Sequence, residues 1–146
     1  NRGLTPPARH EPPMPPFADR LAEAVRAKGP LCVGLDPRWE SLPKAIRDSL
    51  RDVPPDERVA AGYWEFGRKV LSLVRPYCGV VKPQAAFFEQ AGPKGLAMLQ
   101  LLLREAKLLG FVTVLDAKRG DIGSTATAYA DAAFGPVWDA DSLTIN

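Results

Sequence analysis

The segment Asp116-Ala117-Lys118-Arg119-Gly120-Asp121 places two carboxylates and an amine within six residues, directly after the apolar run Phe111 to Leu115. If extended backbone continues past Leu115, Asp116 and Lys118 project to the same side. An amine held against a carboxylate in a closing site stays protonated, because a neighbouring opposite charge favours the charged form. Lys118 is therefore expected to deliver a proton rather than take one. Gly120 tolerates backbone angles that other residues resist, which would let Asp121 turn back toward the site or reach another subunit. The competing bland reading is an Asp–Lys ion pair at a strand end followed by a polar turn.

The pattern does not stand alone. Leu35 is followed by Asp36, Val81 by Lys82, Leu115 by Asp116 and Ile145 by Asn146, so three apolar runs end in a charge and the fourth in an amide. In parallel α/β folds the carboxyl ends of the strands gather on one face, and that face carries the site. Charges of opposite sign at consecutive strand ends point to a convergent polar cluster. Asp36, Lys82, Asp116 and Lys118 are its expected members. Gln84 and Glu89 fit loop residues as well as functional ones.

The elements that would position this cluster alternate along the chain. Phe17, Leu21, Ala24 and Val25 recur at helical spacing and Gly29-Pro30 closes that helix. Leu31 to Leu35 reads as a strand. A loop holding Trp39 and Leu42 follows, then a helix from about Asp56 to Val74 with Tyr63, Phe66, Val70 and Leu73 on its apolar face. Gly79 to Val81 is a second strand, Lys94 to Leu109 a helix closed by Gly110, and Phe111 to Leu115 a third strand. Ser124 to Phe134 is expected to be helical and Ser142 to Ile145 a fourth strand. Continuous apolar strands separated by helices predict a parallel sheet covered by helices. The fold class is α/β, either the N-terminal half of a (β/α)₈ barrel with about four β/α units or a small open sheet.

Composition narrows the function classes. Of 146 residues, 46% are hydrophobic and 25% charged, an ordinary globular balance that can bury a core. The net charge of +2 gives no basis for nucleic-acid binding, and no basic stripe is interleaved with aromatics. Trp39, Trp64 and Trp138 are expected to be packing residues. No apolar run approaches the roughly 20 residues of a membrane span, and no secretory signal opens the chain. Cys32 and Cys78 are far apart, without CxxC spacing, and read as two buried thiols in a reducing, cytoplasmic setting. The only histidine, His10, lies in a leader with three Pro-Pro pairs, so a serine or cysteine triad has no base to use. Residues 1–16 read as an extended leader and 17–146 as a partial barrel domain cut after its fourth strand. A start at Asn1 and a stop at Asn146 after an apolar run suggest a piece of a longer protein.

With these residues in view, Asp116-Ala117-Lys118-Arg119-Gly120-Asp121-Ile122-Gly123-Ser124-Thr125 resembles the signature of the orotidine 5′-monophosphate decarboxylase family, especially its bacterial-type second subfamily. Cys32-Val33-Gly34-Leu35-Asp36-Pro37-Arg38 resembles that family's first strand, and Val80 to Glu89 its second. Leu143-Thr144-Ile145-Asn146 resembles the start of its fourth. The resemblance implies a (β/α)₈ barrel that acts as a homodimer, without metal or organic cofactor, converting orotidine 5′-monophosphate to UMP and CO₂ in pyrimidine biosynthesis. By the same resemblance, Asp36 and Lys82 match positions that bind the ribose hydroxyls and organise the charges. Asp116 matches the carboxylate facing the substrate carboxylate, and Lys118 the lysine that protonates C6. Asp121 and Thr125 match residues that reach the partner subunit's substrate. The phosphate-gripping loops would lie beyond Asn146, so residues 1–146 alone are expected to be inactive. Two rival readings differ in class. A magnesium-dependent sugar-phosphate lyase or synthase of the same suprafamily would show a metal requirement. A non-catalytic truncated interaction module would pair through its open sheet edges.

Overall fold

A computed structural model describes residues 14–146; His10 and most of the segment expected to be a leader lie outside the described residues. Helix α1 spans Phe17–Lys28, strand β1 Cys32–Leu35, helix α2 Lys44–Ser49 and helix α3 Pro55–Val74. Strand β2 is Val80–Pro83, followed by helices α4 (Ala85–Gln90) and α5 (Gly92–Leu108) and strand β3 (Val112–Leu115). Helix α6 (Gly123–Phe134) and strand β4 (Ser142–Leu143) complete the order.

The four strands form one parallel sheet in the order β1-β2-β3-β4. Each strand therefore lies beside its neighbour in sequence, with helices in every crossover. A doubly wound open sheet reverses its strand order at a switch point; a barrel sector does not. The register settles which side chains share a face. Gly34 pairs with Lys82 and Gln84 bridges Asp116, so Asp36, Lys82 and Asp116 follow one another on the same side of the sheet. Leu35, Val81 and Leu115 alternate onto the other side, where they meet Phe88, Leu99, Leu102 and Leu103 in the core.

Local sequence explains the covering helices. Pro55 starts α3 where no amide partner is needed, and Asp56 and Glu57 favour its N-terminal dipole. Lys94 of α5 bonds both carboxylates, at 2.5 and 2.9 Å, and ties the two helices together. Closer packing rests on glycine: a Cβ at Gly67 would stand 2.7 Å from Leu102, and one at Gly62 2.8 Å from Trp39. The buried stripe of α3 accordingly runs through Tyr63, Gly67 and Leu71. Leu73, expected on that stripe, is 72% exposed. The spacing is helical, but the small residues that allow contact shift the face. Trp39, Trp64 and Trp138 pack against the core as expected.

Three further expectations need correction. Helices α2 and α4 were not foreseen, because six residues are too few to display a 3.6-residue period. Strand β4 stops at Leu143 rather than Ile145; the chain after Asp116 leaves extended geometry at Lys118 and turns around Thr144 instead of continuing the ladder. Cys32 is exposed while Cys78 is buried, and neither is paired with the other. Cys32 shares its sheet face with Val80 and Val112, which are buried; it differs from them in lying on β1, the edge strand of the sheet. Cys78 is held by the carbonyls of Leu31 and Val80. No described helix is long and apolar enough to cross a membrane.

At the end of the sheet opposite the strand-end charges, Asp141 anchors α1 and α5. Arg20 of α1 meets its Oδ1 at 2.5 Å, Lys107 of α5 at 3.5 Å, and the amide and hydroxyl of Thr113 donate to Oδ2 at 2.8 and 3.0 Å. Burial pushes the Asp141 carboxyl up. The Arg20 and Thr113 hydrogen bonds and the charges of Lys107 and Arg20 outweigh it and hold the group below the ordinary carboxylate range. Removing one member of a buried pair costs about 3–5 kcal/mol. Here the cationic side chains are 20% and 21% exposed, so the cost is smaller. Asp141→Ala is expected to lower unfolding free energy by about 2 kcal/mol, read from the urea midpoint at neutral pH. An unchanged midpoint would contradict the anchor.

Candidate active site

The cluster forms at the carboxyl ends of β2 and β3. Asp116 is the residue after β3 and is only 7% exposed. Its Oδ2 receives Lys82 Nζ at 2.5 Å and its Oδ1 receives Lys118 Nζ at 3.1 Å. Thr144 Oγ1 also donates to Oδ1, at 3.0 Å. These contacts hold the Asp116 carboxyl down at about 2: the Lys82 hydrogen bond leads, burial opposes it, and the bonds from Lys118 and Thr144 add to the lowering. The group is thus a carboxylate throughout the neutral range. Lys82 is correspondingly raised, chiefly by its bond to Asp116, against a burial penalty, with the charges of Asp116 and Asp36 assisting. Both cations face one permanent anion.

The backbone reaches this arrangement by a different path from the extended one expected. Lys118 adopts φ +47°, the left-handed region that a branched or long side chain seldom enters. Its amide and that of Ala117 both bond Thr144 Oγ1, at 3.0 and 3.2 Å. Gly120 carries no positive φ; the glycine that does in this loop is Gly123, at +59°, at the start of α6. Arg119 braces the other side of the turn. Its amide donates to Thr144 O at 3.2 Å, its Nη1 to Ala117 O at 2.7 Å, and its guanidinium pairs with Glu89.

Of the residues singled out from sequence, the structure brings Lys82, Asp116 and Lys118 into direct contact. Asp36 is exposed on the same sheet face, close enough for its charge to act on Lys82. Asp121 and Thr125 do not join the cluster: both are exposed, and the Asp121 carboxylate accepts from the Ile122 amide at 2.8 Å. Gln84 caps α4 through the Ala86 amide, and Glu89 serves as the Arg119 counterion. Sequence reading missed Thr144 and Arg119. Arg119 lies inside the motif and Thr144 inside the segment that resembles the family's fourth strand, but nothing local marks the Thr144 bond to a carboxylate 28 positions away. Among the described residues, no three His, Cys, Asp or Glu side chains stand together as a metal site.

Residues 29–146 match the profile of the orotidine 5′-phosphate decarboxylase / HUMPS family. The chain belongs to this family. A curated orotidine 5′-phosphate decarboxylase from Rhodopirellula baltica is 45% identical over 140 residues, spanning 91% of this chain and 46% of that protein. One from Nocardioides is 41% identical, with the same coverages of 91% and 46%. The solved OMP decarboxylase of Leishmania donovani superposes with a TM-score of 0.70 at 36% identity, over 89% of this chain and 44% of that one. The chain thus spans about half the length of the family members it matches. Its four β/α units form the first half of the family's (β/α)₈ barrel, and the Asp116 cluster sits on the strand-end face where such barrels carry their sites.

Proposed function

We propose that this chain supplies the charged reaction centre of an orotidine 5′-monophosphate decarboxylase, and that the complete barrel converts orotidine 5′-monophosphate to UMP and CO₂. The observation that carries the reading is a single buried carboxylate, Asp116, held between two lysines at adjacent strand ends. The names of the relatives favour the same reaction.

Breaking the bond from C6 to the carboxyl carbon releases CO₂ and leaves an electron pair on C6, in an orbital the ring cannot delocalise. That pair needs an external positive charge. Lys118 is suited to provide it, being fixed by Asp116 yet having a side chain more exposed than that of Lys82, at 59% against 34%. A prepositioned ammonium stabilises the developing carbanion and then gives C6 its proton. Nζ is left neutral and regains a proton from solvent. Asp116, being negative, disfavours the substrate carboxylate more than neutral CO₂. Lys82 keeps Asp116 ionised, and with Asp36 it presents groups to the ribose hydroxyls.

Asp121 and Thr125 are read as serving the substrate of a partner subunit in a homodimer. Their exposure, outside the Asp116 cluster, supports that assignment. The setting is read as cytoplasmic, and no metal or organic cofactor is required by the chemistry. Remote binding contacts drive closure and positioning in such reactions, so catalysis belongs to the complete barrel. Purified residues 1–146 are expected to give no UMP. A chimera joining them to the second half of the Rhodopirellula baltica protein is expected to give UMP in the presence of a chelator. A folded chimera that leaves the substrate untouched would count against this reading.

A further inference from the structure

Thr144 makes more contacts within the charge cluster than a packing residue needs. Its hydroxyl can donate once and accept twice. All three capacities are used: the amides of Ala117 and Lys118 donate to the oxygen, and the O–H donates to Asp116 Oδ1 at 3.0 Å. Because both lone pairs are engaged by amides, the proton has one direction left, toward the carboxylate. The donor is therefore fixed in orientation by the same turn that carries Lys118.

We infer that Thr144 is a positioning residue, whose hydroxyl holds Asp116 in place and fixes the left-handed turn at Lys118, so that Lys118 can leave the carboxylate for a substrate without Asp116 following. This inference rests on the decarboxylase reading for its kinetic consequence, but its structural content is independent of the reaction. Asp116 Oδ1 has two donors, Lys118 and Thr144. If Lys118 swings toward substrate, Thr144 remains, and Lys82 still holds Oδ2. A nearly buried carboxylate is thereby never left with an empty oxygen, which would cost desolvation free energy at the moment of reaction. The φ of +47° at Lys118 persists only where surrounding bonds over-determine it, and the two amide bonds to Thr144 Oγ1 do so. Thr144 O adds a third tie by accepting from the Arg119 amide.

Thr144→Val removes the hydroxyl and keeps the branched shape; Thr144→Ser keeps the hydroxyl and removes the methyl. Misplacing a reacting group by about 1 Å costs on the order of 10²-fold in rate. In the complete protein, Thr144→Val is expected to lower kcat by about 30-fold with KM changed less than about threefold. Thr144→Ser is expected to restore kcat to within about threefold of the parent. A crystal structure of each variant supplies the readout that does not depend on turnover. Thr144→Val should release Lys118 from positive φ and move Nζ away from Asp116, while Thr144→Ser should not. If the parent and Thr144→Val share both kcat and the Lys118 backbone, the inference is wrong although the decarboxylase reading stands. If the parent fails to decarboxylate, that reading falls, and the backbone comparison still decides the role of Thr144. Equal loss in the serine and valine variants would also overturn it, since shape rather than the hydroxyl would then matter.

Discussion

Replacing Lys118 with alanine in the complete protein is expected to lower kcat by at least about 10⁴-fold with the fold retained. General acid catalysis contributes about 10²–10⁴-fold, and a fixed charge aimed at a developing anion about 10²–10³-fold. Lys118 is assigned both roles, and no described neighbour can take them over. Lys82 Nζ is committed to Asp116 Oδ2 at 2.5 Å, and Arg119 is committed to Glu89. The fold should tolerate the change, because the Lys118 side chain is 59% exposed and its structural ties are made by its amide. Single-turnover decarboxylation of Lys118→Ala, with circular dichroism to confirm folding, measures this. Turnover within about tenfold of the parent would remove Lys118 from the reaction.

Asp116→Asn should produce the second largest effect, a fall in kcat on the order of 10³-fold without a rise in KM. The substitution keeps the volume but deletes the charge that both lysines face. Lys82 and Lys118 would then repel each other across a neutral amide, and Lys118 would lose the anchor that holds it 3.1 Å from Oδ1. Positioning and electrostatic losses of this kind cost about 10²–10³-fold each, and they overlap because the same lysine suffers both. The direction of KM carries separate information. Removing a negative charge that disfavours the substrate carboxylate should strengthen ground-state binding, so kcat and KM fall together. Steady-state kinetics with a carboxylate-bearing substrate, and inhibition by a carboxylate-free ligand, check this. A higher KM for the carboxylate-bearing ligand would mean that Asp116 attracts rather than opposes it.

Much of this site is legible in the sequence, for a physical reason. Strand ends in a parallel sheet converge, so charges written directly after apolar runs at Asp36, Lys82 and Asp116 had to meet on one face. The helices α1, α3, α5 and α6 were visible because each spans at least 12 residues and shows the helical period. What stayed hidden depends on geometry that local sequence does not encode. Lys118 was expected to reach Asp116 along extended backbone, whereas it does so through a left-handed turn imposed by Thr144 from the next strand end. Gly120 looked like the flexible point, yet the unusual angles fall on Lys118 and Gly123. Cys32 reads as buried because its neighbours are apolar, but β1 is the edge strand of the sheet, a position that neighbouring residue types do not encode.

Stabilisation and protonation of a C6 carbanion by the Lys118 ammonium can be tested with the carbon–carbon bond step removed. UMP deuterated at C6, incubated in ordinary water with the complete protein, should lose its deuterium through the same carbanion formed in reverse. The predicted result is measurable washout with the parent and none above the uncatalysed background with Lys118→Ala. Washout at equal rates in both proteins would contradict it.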